Sequence, residues 1–327
     1  MHKYEYVYKT PNNHTARKKT AKLIKFIYSS LSLVFIVFIC IVIFKGIQEN
    51  VFQKQVLSPV AKSITASVAS IAKIIFPERL QNVVLDQLKD ADGDYAVSIK
   101  NLKTGESYTL NGDKVFETAS LYKLWVMAVA MKEIETGSLD PDKILVKDIA
   151  SLNKSFGIAT ESAELKEGTL EIDVGRAVNQ MIVVSNNYAA LSLMQEVGVG
   201  TVSAFLKNNG LNSSKTGNPP TSTASDIALF YEELYKGKLA GKETTQKMLD
   251  ILKDQEINDR IPKYLPEKIE VGHKTGELDG YKHDAGIVYA PKGDYVIVVM
   301  SNTKDPQTAV DVIAKISKAV YDHFEKE

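Results

Sequence analysis

The order of the apolar patterns between residue 80 and the C-terminus most constrains the fold. Strand-like apolar runs next to turn residues occur at both ends of this stretch, and helical periodicity fills most of the sequence between them. Strands separated by so many helices share a sheet only if the two ends of the stretch come together. We therefore predict an α+β domain with one antiparallel sheet from both ends, flanking helices and an all-helical insert. The predicted strands are 95–102, 107–110, 268–274, 284–290 and 294–301, and the predicted helices are 80–88, 120–136, 173–184, 187–196, 200–209, 224–236, 243–254 and 306–325.

Three short motifs in this stretch are candidates for chemistry. Ser120 and Lys123 stand three residues apart at the start of a predicted helix, a spacing that puts both on one helix face, about 5–6 Å apart between Cβ atoms. A lysine whose pKa is lowered by burial can take the proton of a serine hydroxyl. The second motif, Ser185-Asn186-Asn187, lies between two predicted helices, and the third, Lys274-Thr275-Gly276, ends a predicted strand.

Each motif is weak by itself. Taken alone, Ser120 and Lys123 fit an ordinary helix start better than a catalytic pair. The order of the three motifs, and the strand that carries Lys274, distinguish this set from the other copies and indicate a serine nucleophile site. The Ser-x-x-Lys pattern recurs at Ser70/Lys73, Ser151/Lys154 and Ser301/Lys304, and Lys-Thr-Gly recurs at Lys103 and Lys215.

In this order, the motifs resemble those of the penicillin-recognising serine enzymes, and the nearest form is the class A β-lactamase-like domain, over residues 80–327. The resemblance implies a serine hydrolase that forms an acyl-enzyme with β-lactams or D-alanyl-D-alanine-like peptides. It implies that the oxyanion would lie between two backbone N–H groups, those of Ser120 and Glu277. The implied catalytic residues are Ser120, Lys123 and Ser185, and the implied substrate-binding residues are Asn187, Lys274, Thr275, Gly276 and Glu277.

Two features depart from the class A pattern. Asn186 stands where β-lactamases have Asp, and we expect a structural hydrogen bond from it. Class A enzymes also carry a deacylating Glu between the second and third motifs, whereas no Asp or Glu occurs here from residue 197 to 225. Glu277 and Asp279 are the alternatives for that carboxylate. Slow hydrolysis of the lactam acyl-enzyme is therefore favoured. Three functions remain open: a β-lactamase, a D,D-peptidase like the penicillin-binding proteins, or a non-catalytic wall- or lactam-binding sensor.

The first 79 residues divide into three segments. Residues 1–25 hold seven Lys/Arg and one Glu, a net charge of +6, and Phe26–Phe44 are 19 residues without a charge, enough for a membrane-spanning helix. With the basic flank on the cytoplasmic side, we predict a single-pass protein of the cell membrane. Its segments are a cytoplasmic basic tail (1–22), a transmembrane signal anchor (23–45), a membrane-proximal stalk (46–79) and an extracytoplasmic catalytic domain (80–327). A cleaved signal peptide is the rival hypothesis, but no small-x-small site follows promptly.

Composition restricts the partners. The chain as a whole has no net charge, so the part after residue 25 carries −6, which argues against nucleic-acid binding. The one cysteine, Cys40, excludes a disulfide framework, and the five histidines show no metal-ligand spacing. We expect no metal and no other cofactor; the expected partners are a β-lactam or peptidoglycan-like peptide substrate and the cytoplasmic membrane. His273, and His283 with Asp284, are expected to be structural.

Overall fold

The computed structural model describes residues 78–326. The predicted basic tail, signal anchor and stalk lie outside these residues. Among the residues described, no single helix has both the length and the hydropathy of a membrane span. One pair of helices, Asn187–Val197 and Val199–Asn208, meets both criteria only when taken together, and it is bent by 82°.

The helices and strands follow the order that the apolar patterns predict, with additional short elements between residues 116 and 222. The helices are α1 (Glu78–Leu88), α2 (Lys123–Glu135), α3 (Ile149–Ser155), α4 (Val174–Val183), α5 (Asn187–Val197), α6 (Val199–Asn208), α7 (Ala224–Tyr235), α8 (Lys242–Lys253) and α9 (Pro306–Lys326), with a short 3₁₀ helix at Ala119–Tyr122. The strands are β1 (Asp94–Asn101), β2 (Ser107–Leu110), β3 (Phe116–Glu117), β4 (Ile144–Asp148), β5 (Thr169–Asp173), β6 (Thr221–Ser222), β7 (Glu270–Leu278), β8 (Tyr281–Tyr289) and β9 (Tyr295–Asn302).

One antiparallel sheet joins the two ends of the domain, as predicted. Its five strands follow the order β2-β1-β9-β8-β7. The first long strand pairs with the last, with Asp94 opposite Asn302 and Asn101 opposite Tyr295. The helical part of the chain is therefore an insertion between the two halves of a sheet, and β7, at the edge, is the strand that carries the third motif.

Both faces of this sheet are buried. Along β9, Tyr295, Ile297 and Val299 belong to the apolar core that includes residues of α1 and α9. Their neighbours Val296, Val298 and Met300 belong to the other core, which includes residues of α2, α4, α5, α7 and α8. Since successive side chains of a strand point to opposite faces, a strand covered on both sides has a continuous apolar sequence.

Helix α2 lies at the centre of the second core. Every residue from Lys123 to Met131 is buried, which is the pattern of a helix covered on all sides. The α-helix begins at Lys123, so the predicted helix 120–136 began too early. Ser120 lies instead in the 3₁₀ helix, whose tighter turn connects β3 to α2.

Two other predictions differ from the structure. The insert is not all-helical, because β4 pairs with β5 and β3 with β6 in two small sheets. The strand that carries Lys274 does not end at the motif but continues to Leu278, since the Asp279-Gly280 turn, with φ +76° at Gly280, connects it directly to β8. The third motif therefore lies inside a paired strand, and its backbone is fixed by the ladder with β8.

Candidate active site

The 3₁₀ helix presents Ser120 to solvent at the edge of α2. Ser120 is half-buried, whereas Lys123, at the first position of α2, is fully buried. The residue before the serine, Ala119, has φ +46°, in the left-handed region that residues with a side chain seldom adopt. Such strain persists where the surrounding structure enforces it, and it is concentrated at functional sites.

The Lys123 amine is directed at the second motif. Its Nζ donates hydrogen bonds to the Ser185 carbonyl oxygen at 2.6 Å and to Asn187 Oδ1 at 2.8 Å, and it lies 3.2 Å from Ser185 Oγ, a hydroxyl that can donate to a neutral amine. Within residues 78–326 no hydrogen bond joins it to Ser120. Burial lowers the pKa of Lys123 well below its ordinary value, the Lys274 charge lowers it further, and the Glu164 carboxylate opposes both effects. The site thus favours a neutral amine at Lys123.

The second motif occupies the junction of α4 and α5. Ser185 has φ +57°, again in the left-handed region. Asn186 is the N-cap of α5, and its Oδ1 accepts a hydrogen bond from the Ala189 N–H at 2.9 Å. The expectation of a structural hydrogen bond at Asn186 is confirmed. Asn187 follows as the first residue of α5, with its side chain at the mouth of the site.

The third motif brings a second buried lysine to the same serine. Lys274 Nζ donates to Ser185 Oγ at 3.0 Å and to the Thr275 carbonyl oxygen at 2.9 Å. Burial lowers the pKa of Lys274 to about 7; the nearby Asp284 carboxylate opposes that effect, and the Arg260 guanidinium adds to it. Ser185 Oγ therefore lies between two lysine amines, one from the helical part of the domain and one from the sheet.

Gly276 permits the sheet to approach the 3₁₀ helix that carries Ser120 closely. A Cβ atom at this position would lie 2.8 Å from the Thr118 carbonyl oxygen and 3.2 Å from Leu121 Cγ. A backbone oxygen at 2.8 Å cannot give way easily, so any side chain would push β7 away from the 3₁₀ helix. The motif glycine thus brings the backbone of Gly276 and Glu277 alongside the segment that carries Ser120.

Glu277 is held by two cations. Its carboxylate accepts a hydrogen bond from Arg260 Nη2 at 2.7 Å and also pairs with Lys282. Burial alone would raise the pKa of Glu277, but the hydrogen bonds from Lys282 and Arg260 lower it. Asp279 lies in the turn after β7 and lines a separate cleft with Asp92 and Asp94. Neither acid hydrogen-bonds a side chain of the first two motifs within the described residues.

Two residues of the site were missed by sequence reasoning. Arg260 is fully buried although it lies outside regular secondary structure, and it reaches Glu277 as described. Glu164 lies in the loop between α3 and β5, and its Oε2 accepts a hydrogen bond from Asn187 Nδ2 at 3.0 Å. No local pattern marks either residue, since both contacts join segments far apart in the chain.

The polar groups behind β7 support the strand. His273 Nδ1 lies 2.8 Å from Asp284 Oδ1, while the other oxygen of that carboxylate accepts a hydrogen bond from the Ile261 N–H at 2.9 Å. His283 Nε2 donates to the Glu117 carbonyl oxygen at 2.8 Å, and burial lowers its pKa to about 4, so the ring is neutral at neutral pH. The structural roles expected for His273, His283 and Asp284 agree with these contacts. In residues 78–326 no cluster of three or more His, Cys, Asp or Glu could hold a metal ion.

A cavity adjoins the helical side of the site. Its volume is about 600 Å³, and it runs along α5 between the end of α3 and the loop before β6. Tyr122, next to the motif lysine, contributes to its wall, as do Leu191 and Met194 of α5. Space for an apolar group therefore lies beside the segment that carries Ser120 and Lys123.

Comparison with known proteins gives a consistent result. A family model described as the beta-lactamase enzyme family matches residues 76–324. A beta-lactamase of Proteus vulgaris is 26% identical over 262 residues, which is 74% of this chain and 96% of that protein.

Solved structures share the fold. The crystal structure of a beta-lactamase from Sphaerobacter thermophilus has a TM-score of 0.66 and 25% identity, and the match covers 76% of this chain and 98% of that one. The structure of PBP-A has a TM-score of 0.68 at 23% identity, covering 77% and 97%. At that identity the likeness to PBP-A concerns the fold alone.

Proposed function

The chain belongs to the beta-lactamase enzyme family and is a β-lactamase-like hydrolase, and from this premise we propose that β-lactams or D-alanyl-D-alanine-like peptides acylate it at Ser120. One observation carries the proposal: Ser185 Oγ lies 3.2 Å from Lys123 Nζ and 3.0 Å from Lys274 Nζ. A hydroxyl between two buried amines can relay protons, and the half-buried Ser120 lies one helical turn before one of those two lysines.

Acylation follows from these groups. Neutral Lys123 takes the Ser120 proton while Ser120 Oγ attacks the carbonyl carbon of the lactam or peptide bond. The oxyanion that forms accepts hydrogen bonds from the backbone N–H groups of Ser120 and Glu277. Lys123 then returns the proton through Ser185 Oγ, which gives its own proton to the leaving nitrogen as the C–N bond breaks. The product is an ester at Ser120, with both lysines in their initial protonation states.

The same groups can bind substrate. Lys274 provides a positive charge for a substrate carboxylate, and the Thr275 hydroxyl provides a hydrogen bond to it. The Asn187 side chain, with an oxygen and two N–H donors, can contact the substrate amide from the opposite side. Gly276 keeps the β7 backbone close to Ser120, which is the approach that an extended substrate needs.

The proposal is tested by treating the full-length chain in detergent with a labelled penicillin and measuring intact mass. We expect one adduct, lost in Ser120→Ala. Ser151→Ala is the matched control, because Ser151 heads another Ser-x-x-Lys sequence, at the start of α3. An adduct that persists in Ser120→Ala, or no adduct in the unaltered chain, contradicts acylation at Ser120. Binding of the penicillin that is unchanged in Ser120→Ala would favour the non-catalytic sensor.

A slow release of the acyl group is the second part of the proposal. No Asp or Glu occurs from residue 197 to 225, and the Glu277 carboxylate is held by Arg260 and Lys282. These observations favour a D,D-peptidase-like enzyme that retains lactams over an efficient β-lactamase. A variant of the similarly folded PBP-A has been solved as an acyl-enzyme complex with penicillin G. An acyl-enzyme lifetime of minutes or longer by intact mass supports slow release, and turnover within seconds contradicts it.

The location of the enzyme is also a proposal. The uncharged run Phe26–Phe44 and its basic flank support a signal anchor with the catalytic domain outside the cytoplasmic membrane. A protease added to intact cells should then degrade the domain, while a cytoplasmic marker protein survives. Resistance of the domain until the cells are lysed would contradict this orientation.

A further inference from the structure

A carboxylate outside the three motifs contacts a side chain of the second motif at the mouth of the site. Glu164 Oε2 accepts a hydrogen bond from Asn187 Nδ2 at 3.0 Å. The other polar atom of the same amide, Asn187 Oδ1, accepts a hydrogen bond from Lys123 Nζ at 2.8 Å. One side-chain amide therefore connects an acid to the lysine that receives the serine proton.

The backbone beside Glu164 is fixed by buried groups. The Leu165 N–H donates to the Tyr188 hydroxyl at 2.9 Å, and the Leu165 carbonyl oxygen accepts from that hydroxyl at 2.7 Å and from Asn153 Nδ2 at 2.8 Å. Tyr188 and Asn153 are only 5% and 6% exposed. Tyr188 also directly follows Asn187 in α5. The loop is thus attached to the helix that carries the amide, and Glu164 is presented to it.

The neighbouring acids lack this contact. Glu161, Glu164 and Glu167 are all exposed and lie in one loop, but within residues 78–326 Glu161 and Glu167 form no hydrogen bond or ion pair. The acidic loop as a whole therefore does not explain the contact. Glu164 makes the contact because it is the acid next to Leu165, whose backbone is held in place.

We propose that Glu164 is a positioning residue: it holds the Asn187 amide with its oxygen towards Lys123, and it places a negative charge beside that lysine. The inference rests on the proposed acylation at Ser120. If the amide turned over, its NH₂ group would face the Lys123 amine, and two donors would oppose each other. An acceptor at residue 164 prevents this reversal of the amide, because the acceptor binds the NH₂ group and so leaves the amide oxygen facing Lys123.

The charge has a separate effect from the hydrogen bond. The groups that face Lys123 are Ser185 and Asn187 from the α4–α5 segment, Lys274 from β7 and Glu164 from the loop. The Lys274 cation lowers the pKa of Lys123, and the Glu164 carboxylate raises it. Without that carboxylate, Lys123 loses its proton at a lower pH. Since acylation needs the neutral amine, the acidic limb of the rate profile then moves to lower pH.

The test measures the acylation rate of the full-length chain by a labelled penicillin from about pH 5 to pH 9. Glu164→Gln keeps an acceptor and removes the charge, so we expect the acidic limb to move down by about half a pH unit at low salt. This shift should shrink in 1 M salt, and the maximal rate should change less than threefold. Glu164→Ala should show the same shift and a maximal rate lower by about tenfold, since the amide is no longer held. Glu167→Gln is the matched control and should neither move the acidic limb nor lower the maximal rate.

A second variant separates positioning from folding. Tyr188→Phe keeps Glu164 but removes the hydroxyl that holds Leu165, so it should lower the maximal rate while thermal unfolding remains cooperative. The proposal is overturned if Glu164→Gln leaves the acidic limb in place. It is also overturned if that variant only lengthens the acyl-enzyme lifetime, which would make Glu164 the base for water instead. Absence of an adduct in the unaltered chain would contradict the proposed function and is seen before any variant is made.

Discussion

The two walls of the cleft each contribute one buried lysine, and the two lysines differ in their surroundings. The helical wall (Ser120, Lys123, Ser185 and Asn187) surrounds its lysine with neutral acceptors and one exposed acid. The strand wall (Lys274, Thr275, Gly276 and Glu277) places its lysine near the buried Asp284. Burial lowers the pKa of both amines. The comparison teaches that equal burial does not imply equal roles, since Lys123 is equipped to supply a lone pair and Lys274 a charge.

The largest expected effect comes from exchanging each lysine for arginine. A guanidinium keeps its proton, so Lys123→Arg cannot accept the Ser120 proton, and we expect acylation to fall about a thousandfold. Lys274→Arg retains a positive charge and should lose no more than about tenfold. Acylation kinetics with a labelled penicillin measure both, with thermal unfolding as the check on folding. Equal losses at the two positions would remove the distinction between the walls.

The next effect concerns stability and pH at the strand wall. The pKa of Lys274 is lowered from 10.5 to about 7 in the folded state, so the unfolded chain keeps this proton between those values while the folded chain has lost it. The free energy of unfolding of the unaltered chain therefore rises with pH through that window. Lys274→Met removes this rise. We expect its stability relative to the unaltered chain to decrease by roughly 2 kcal/mol between pH 6 and pH 9.

Denaturant unfolding at the two pH values measures this change. Lys103→Met is the control, because Lys103 belongs to an exposed copy of the Lys-Thr-Gly sequence in the β1–β2 turn. That variant should follow the unaltered chain at both values. A constant difference between Lys274→Met and the unaltered chain would mean that Lys274 does not lose its proton in this range.

The smallest effect separates scaffold from chemistry within the helical wall. Asn186 caps α5 but does not contact either lysine, so Asn186→Ala should cost about 1 kcal/mol of stability. Acylation should stay within about twofold of the unaltered chain, because one lost cap hydrogen bond need not move the Ser185 or Asn187 side chains. Asn186→Asp keeps a cap acceptor and should be nearly neutral in both measurements. A loss of acylation larger than the loss of stability would give Asn186 a part in the chemistry.

The three motifs could be found from the sequence because each is a short local pattern and together they follow a characteristic order. Lys123, Ser185, Asn187 and Lys274 come together through direct hydrogen bonds, as their motifs imply. Glu164 could not be found, since its place depends on the buried Tyr188 hydroxyl, which comes from helix α5 and holds the backbone of the Glu164 loop at Leu165. The alternative carboxylates Glu277 and Asp279 are near the third motif in sequence. In the structure Arg260 and Lys282 hold Glu277, and Asp279 lines a separate cleft.

The sheet and the long helices could be predicted because apolar runs next to turn residues mark the main strands, and helical apolar periodicity extends over many residues of the helices. The pair β4–β5 was missed, since two of its apolar side chains, Ile144 and Val146, are 53% and 62% exposed and so mark no buried face. The extension of β7 was missed for a different reason: the predicted strand ended at the motif, and the turn signal after it was not used. The Asp279-Gly280 pair is a strong signal for a two-residue hairpin turn, and it places the motif inside the strand.

The pairing of β1 with β9 has a consequence for the order of folding. Every motif residue lies before residue 278, yet the partner of β1 is made only when residues 295–302 have been synthesised. Contacts so distant along the chain form slowly, because a long loop must close before they contribute. A nascent chain that already contains all three motifs therefore still exposes the edge of β1, and a truncation before residue 295 should leave every motif side chain present and none of them assembled.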